Sequence, residues 1–318
     1  MKKLICALLV AATVLCAVSC GNGESEKPLS VGIIQLAEFG ALDSASQGFI
    51  DEMNELCEAE NIEWAYKLEN AQGEQPVCAT IATSFINSDV DLIVAIATPA
   101  AQAAASATAE IPILFTAVTD AVQAGLVASN EAPGGNISGT SDMNPVTQQI
   151  DLLLKLVPDA KTVGILYCSA EDNSITQEKM ARAALEAKGV AVLDYTAADS
   201  SEVAAVTQSM VGKVDAVYIP TDNLMASTAA TVSEVLNAAK IPSVAGEASM
   251  VGAGFLATYG IDYYLLGRQT GAQAFRLLVK GENISQMKVE FYEKTCELTV
   301  NEETAKRIGI TIPADLQQ

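Results

Sequence analysis

The chain has 318 residues and a formal net charge of −21, with 39 acidic against 18 basic side chains and no histidine. That balance excludes nucleic acid as a partner, because phosphate binding needs a basic face. The lack of imidazole removes His-based triads and most zinc sites together, while the length suffices for two α/β domains.

Met1 to Cys20 reads as an export signal, with Lys2 and Lys3, an apolar run from Leu4 to Val18, and Ala17-Val18-Ser19 directly before Cys20. A membrane-spanning helix needs ~20 apolar residues. This run is shorter, basic at its front and small-residue at its end. Cleavage before Cys20 and lipidation of that cysteine are expected, giving a signal peptide over 1–19 and a polar leash over 20–29. The mature chain would then be tethered to the outside of a bacterial membrane. The alternative is an ordinary secretory signal cut near Ser19, since Ala17 stands where such boxes usually carry leucine.

Beyond the leash, short β-rich runs alternate with helical periodicity. Strands are expected over Val31 to Leu36, Ile62 to Leu68, Asp91 to Ala97 and Ile113 to Thr116, with helices over Asp43 to Cys57, Pro76 to Phe85 and Pro99 to Ala109. The rhythm pauses at the turn cluster Ala132-Pro133-Gly134-Gly135-Asn136 and at Ser141 to Pro145. It restarts with helices Val146 to Val157, Ser174 to Lys188, Ser201 to Val211 and Leu224 to Ala239, and strands Thr162 to Tyr167, Val190 to Tyr195, Ala216 to Pro220 and Pro242 to Ala245. Last come a strand over Phe255 to Tyr259, a helix over Ile261 to Val279, and short strands at Lys288 to Tyr292 and Leu298 to Val300. The pattern is α/β, two Rossmann-like lobes with parallel sheets and a cleft between them. The first lobe is expected at 30–141 plus 260–285, and the second, with the returning crossover, at 142–259 plus 286–300. Residues 301–318 read as a tail, and the three inter-lobe crossovers fall near Ser141, Tyr259 and Gln286.

In such sheets, ligands bind outside the carboxyl ends of the strands. The turns there run from Gln35 to Asp43, Thr98 to Ala100, Thr116 to Asp120, Ser169 to Ser174, Thr221 to Asn223, and Gly246 to Glu247. They carry Glu38, Asp120, Asp142, Glu171, Asp172, Asp222 and Glu247 and nothing basic, while Arg182, Arg268, Arg276 and Arg307 all lie in helical patterns. Phosphate or dicarboxylate ligands, which favour an arginine fork, are thereby disfavoured. An amino acid fits, its ammonium on a carboxylate and its carboxylate on backbone N–H groups and hydroxyls at helix starts such as Thr98 or Ser174. Asp222 and Glu38 are placed to share that ammonium across a closed cleft, although Asp43, Asp142 and Asp222 also stand where aspartate caps helices. Phe39, Phe115 and Tyr259 near strand ends are candidates to wall a pocket, whereas Trp64 and Tyr66 read as core or sheet-face residues. Cys57, Cys78, Cys168 and Cys296 have no metal spacing and read as buried thiols; spacing does not select a disulfide pair.

The segments VGIIQLAEFGALDSASQGF, IATPAAQAA, PILFTAVTDAVQAGLV, PGGNISGTSD, NSITQ, YIPTDN and LATYGIDYYLLGRQTGAQAFRLLVKGE resemble, in order and spacing, the ABC-transporter substrate-binding lipoproteins of the tryptophan/tyrosine-binding type. The resemblance implies the type I periplasmic-binding architecture, delivery of ligand to a membrane permease with its ATPase, and no cofactor. It implies a site drawn from Gln35, Glu38, Thr98, Ala100, Asp142, Asn173, Ser174 and Asp222, to which the turns add Thr116 and the strand ends Tyr259. Phe39-Gly40 stands where His-Pro is common in that family, and Ala121 where proline commonly follows the aspartate. The expected function is a lipid-anchored, monomeric, non-enzymatic receptor for an amino acid, with an aromatic side chain favoured. A receptor for a sugar or nucleoside, a chemosensory receptor on the same fold, and a carboxylate-based hydrolase are the alternatives. With aromatics at only 5% of the chain, sugar subsites of a glycosidase are poorly supplied.

Overall fold

The computed structural model describes residues 27–317; the signal segment and Cys20 lie outside the described residues. The first lobe begins with β1 (Leu29–Gln35), α1 (Gly40–Glu60), β2 (Trp64–Asn70), α2 (Gln75–Asn87), β3 (Leu92–Ile96), α3 (Thr98–Ala107), β4 (Ile113–Val118) and β5 (Ile137–Ser141). The second holds α4 (Val146–Leu156), β6 (Thr162–Cys168), α5 (Asp172–Glu186), β7 (Ala191–Ala197), α6 (Ser200–Met210), β8 (Ala216–Ile219), α7 (Asn223–Ser227), α8 (Ala229–Ala238), β9 (Ser243–Ala245), α9 (Ala248–Gly252) and β10 (Ala257–Gly260). The chain then returns to the first lobe for α10 (Tyr263–Leu278) and β11 (Glu290–Phe291), and ends on the second with β12 (Glu297–Val300) and α11 (Glu302–Ile308).

Each sheet has six strands, ordered β2-β1-β3-β4-β5-β11 and β7-β6-β8-β9-β10-β12. All neighbours run parallel except β12, which is antiparallel to β10. The strand order reverses beside β1 in one lobe and β6 in the other, so the turns after β1 and β3 and after β6 and β8 open onto a crevice. Central strands such as Leu92–Ile96 are buried on both faces, as expected of a parallel sheet covered by helices. In β6 and β8 the two-residue period sends Ile165 and Tyr218 to one core of the second lobe, and Leu166 and Val217 to the other.

The first and last parts of the first lobe are joined by an unusually close helix pair. A Cβ at Gly48 of α1 would collide with the Tyr264 carbonyl oxygen, and one at Gly267 of α10 with that of Ala45. Small residues on both helices therefore let the backbones touch.

Two expected boundaries move. Glu290 and Phe291 pair with Thr140 and Ser141, and Met287 and Val289 are buried in the first-lobe core, so 286–291 belongs to the first lobe. The Ser138 hydroxyl donating to the Met287 carbonyl at 2.6 Å holds it there. The third crossover consequently lies at 292–296 rather than at Gln286. Nor is 301–317 only a tail: Asn301 caps α11 through the Thr304 N–H, and Ala305, Ile308 and Leu316 fill the second-lobe core. Among the described residues, no helix is long and apolar enough to cross a membrane, and the four cysteines are unpaired.

Candidate functional site

Between the lobes, close to the crossovers, lies a narrow polar cavity that is partly open to solvent. The first lobe contributes Phe39, Ala41 and Leu42 at the start of α1, Ala117 and Thr119 at the end of β4, and Tyr263 at the start of α10. The second contributes Asn173, Thr221, Asp222, Asn223, Ala226 and Glu247, and Asp142 sits on the first crossover. Ala117 holds φ at 55°, a left-handed backbone at an alanine, where the β4–β5 register shifts between Phe115 and Val118.

The three carboxylates of this cavity differ in their commitments. Asp222 is the N-cap of α7, accepting from the Met225 N–H at 2.8 Å and the Cys168 N–H at 2.6 Å. Burial, followed by the charge of Glu171, pushes it up to about 7. Glu247 caps α9, accepting from the N–H groups of Ser249 at 2.6 Å and Met250 at 3.1 Å, and burial raises it too. Asp142 caps nothing, because Pro145 occupies the N-cap of α4. It accepts only from hydroxyls of the first lobe, Tyr263 at 2.8 Å and Thr119 at 3.1 Å. It is 2% exposed, and burial raises its carboxyl while those two hydroxyls pull it back down.

Asn173 is oriented by its amide nitrogen, which donates to Glu171 Oε2 at 3.0 Å and to the Thr221 carbonyl at 3.1 Å. Both partners accept only, so Oδ1 is left buried with no partner. Facing these acceptors, α1 starts at Phe39 without a side-chain cap, so its first-turn N–H groups, including those of the cavity-lining Ala41 and Leu42, have no intrahelical partner. No lysine or arginine lines the cavity; Arg182, Arg268 and Arg276 are held in ion pairs on α5 and α10.

Of the residues singled out from sequence, Asp142, Asn173 and Asp222 border the cavity, and Ser174 stands behind them, hydrogen-bonded to Asp222. Gln35 instead ties the β1–α1 turn, donating to the Ala37 carbonyl at 2.9 Å and Asp43 Oδ1 at 2.6 Å. Glu38 is exposed and off the cavity, so it does not face Asp222; the next residue, Phe39, turns inward in its place. Thr98 is buried at the start of α3 with no partner for its hydroxyl, and Ala100 packs in the first-lobe core. Thr116 accepts from the Thr140 hydroxyl at 3.0 Å inside the first lobe, and the Tyr259 side chain packs on the second-lobe core. Thr119, Thr221, Asn223 and Glu247 lay in turns already marked by the strand-end rule. Ala41, Leu42 and Ala117 lay in those turns too but, being apolar, were not singled out, and Tyr263 and Ala226 carried no signal beyond their helix patterns.

The lobes also touch directly. Gln102 donates to Asp172 at 2.7 Å, Gln177 to Thr119 at 3.4 Å, and a Cβ at Gly40 would lie 2.7 Å from that of Ser249. Farther out, a second space of about 210 Å³ opens on the same cleft between Gln72 to Gln75 and Asp199.

Two parallel-sheet lobes, three crossovers and a polar cavity at the junction define a solute-binding protein of the type I periplasmic-binding class. The chain belongs to the family described as ABC transporter substrate binding protein, which matches residues 30–318. It is 40% identical over 287 residues to a tyrosine-binding protein of Clostridioides difficile strain R20291, covering 90% of this chain and 83% of that one. An ABC-domain structure from Streptococcus pneumoniae in complex with L-Trp is 35% identical, with a TM-score of 0.87 over 91% of this chain and 97% of that one. A ligand-free, open structure of a Clostridium difficile substrate-binding protein with adhesive properties is 41% identical but superposes at only 0.68, over 90% and 96%. The lobe arrangement here thus matches the L-Trp complex better than the open protein, although sequence identity runs the other way.

Proposed function

We propose that this protein is the lipid-anchored, extracytoplasmic receptor of an ABC importer, capturing an aromatic amino acid between its lobes without chemical conversion and passing it to the permease and ATPase. The observation that carries the reading is Asp142, a buried carboxylate at the hinge side of the cleft that caps no helix and keeps accepting capacity beside an unpartnered Asn173 Oδ1. Such a pair suits an α-ammonium. The uncapped start of α1 suits the carboxylate, and Phe39, Leu42 and Tyr263 wall the side chain. The relatives described as binding tyrosine and L-Trp support an aromatic ligand.

A thermal-shift screen of the twenty amino acids, nucleosides and sugars, followed by calorimetry, tests this. A true ligand at 100 times its Kd stabilises by about 2.7 kcal/mol. L-Trp or L-Tyr should give the largest shift; a shift with a sugar or nucleoside and none with any amino acid overturns the reading. For the anchor, Cys20→Ala should move the protein from washed membranes to the soluble fraction, and retention on the membrane counts against lipidation.

A further inference from the structure

We infer that this cavity recognises its ligand chiefly through the ammonium group, the carboxylate being secondary, so that aromatic amines lacking a carboxylate are also ligands of the site. The inference rests on the amino-acid reading above and goes beyond it, because it ranks the two charged ends of the ligand.

The ranking comes from counting what each polar group has left to give. An ionised carboxylate offers about four lone-pair sites, and Asp142 uses two of them, on Thr119 and Tyr263. Asn173 Oδ1 uses none. On the donor side, the cavity's side chains are largely committed. The hydroxyls of Thr119 and Tyr263 donate to Asp142, and the amide of Asn223 donates to Glu171 at 2.6 Å. The Asn173 amide is likewise committed. What remains for an anion is backbone, the first turns of α1 and of α5, both of which start without a side-chain cap, with no arginine or lysine to reinforce them.

The two ends of a zwitterion are therefore held unequally. Its ammonium meets a buried, preformed set of acceptors; without it, Asp142 stays desolvated with only its two hydroxyl partners and no cation, and Asn173 Oδ1 has no partner. Its carboxylate meets backbone N–H groups at the N-termini of α1 and α5 and no cation, interactions whose joint loss costs up to about 30-fold in affinity. Loss of a buried, hydrogen-bonded charge partner costs from about 30-fold to several thousand-fold. A ligand that keeps its carboxylate and lacks the ammonium also brings a negative charge to a cavity bordered by Asp142, Asp222 and Glu247.

Calorimetry on the purified protein with two ligand sets makes the comparison: L-tryptophan, tryptamine and indole-3-propionate, and L-tyrosine, tyramine and 3-(4-hydroxyphenyl)propionate. For whichever amino acid binds, the amine should lose less than about 30-fold and the deaminated acid more than that. Asp142→Asn should shrink the gap between amine and acid by at least about 10-fold, since it removes the charge that reads the ammonium. Equal losses for amine and acid, or tighter binding of the acid, overturn the inference while leaving the amino-acid reading intact. Binding of an amine with no binding of any amino acid would sustain the inference and overturn the amino-acid reading. Binding of neither overturns both.

Discussion

Asp142 and Asp222 lie on the same cavity with the same 2% exposure, yet their hydrogen bonds predict opposite phenotypes. The partners of Asp142 are hydroxyls, which can turn and accept from an amide, so Asp142→Asn should leave the melting temperature almost unchanged. Losing the ammonium's charge partner should weaken amino-acid binding by roughly 10-fold to 150-fold. Asp222 accepts two backbone N–H groups, one on each oxygen, and Asp222→Asn sets an amide NH₂ against one of them. That variant should lose about 1–3 kcal/mol of stability, with the smaller change in affinity. Denaturation and calorimetry on the pair decide it, and a fully stable, non-binding Asp222→Asn would reverse the assignment. The same groups set a pH dependence. Asp222, held at about 7, and Asp142 and Glu247, raised by burial, retain protons in the folded state that the unfolded chain has already released. Their contribution to stability is full below the ordinary carboxylate range and is lost as pH rises, for Asp222 through about 7 and for Asp142 and Glu247 in the same direction. The ligand-free protein should therefore melt higher at pH 5 than at pH 8, and bound ammonium should flatten the slope; a slope of opposite sign would contradict the burial of these acids. At this scale the sequence located the turns and much less of the chemistry. An acid before a helix is visible in sequence, but whether it caps is decided by a residue such as Pro145, and whether Glu38 or Phe39 faces inward is decided by the turn that Gln35 ties.

Among elements, the α1–α10 pair is the most exacting contact. Gly267→Ala would press a methyl group into the Ala45 carbonyl and force the helices apart. The expected cost is about 1–3 kcal/mol, seen as a lower denaturation midpoint with ligand affinity falling only as the first lobe loosens; an unaltered midpoint would mean the helices can separate freely. Long periodic elements were legible: α10 was expected over Ile261 to Val279 and runs Tyr263–Leu278. Strand β5 was not, because Ile137–Ser141 is polar and glycine-bearing, and its burial comes from neighbours on both sides. Helices α7 and α9 have five residues each, too few to show a 3.6-residue period. One helix was expected over Leu224 to Ala239, but the chain breaks it at Thr228, whose hydroxyl donates to the Leu224 carbonyl at 2.6 Å. Tyr66, expected in the core or on a sheet face, lies on the face of edge strand β2, 47% exposed and stacked on Trp64 at 5.2 Å.

As a whole molecule, the protein consists of two rigid sheets joined by three short ribbons at 142–145, 261–262 and 292–296. Both walls of the cavity are needed to complete it, and the contacts Gln102 to Asp172 and Gln177 to Thr119 exist only while the lobes are together. Saturating ligand should therefore reduce the radius of gyration measured by small-angle scattering on protein first stripped of any ligand. An unchanged profile at saturation would argue against closure. The two-lobe organisation was readable from the pause after Ala132 and the restart at Val146. The place of the third ribbon was not, since it depends on a two-residue pairing of Glu290 and Phe291 with β5, about 150 residues away in the chain.

That returning path governs how the protein is made. Helix α1 lies on α10, β5 waits for β11, and β10 waits for β12, so neither lobe is a continuous stretch that could finish folding while the other is still being synthesised. The first half of the chain emerges from the ribosome with its long helix uncovered and an open sheet edge, and stays so until residues near 290 arrive. Nascent chains of this protein should accordingly depend on holding chaperones for almost the whole of translation, and a proteolytic cut between α9 and α10 would strip the completing pieces from both lobes at once.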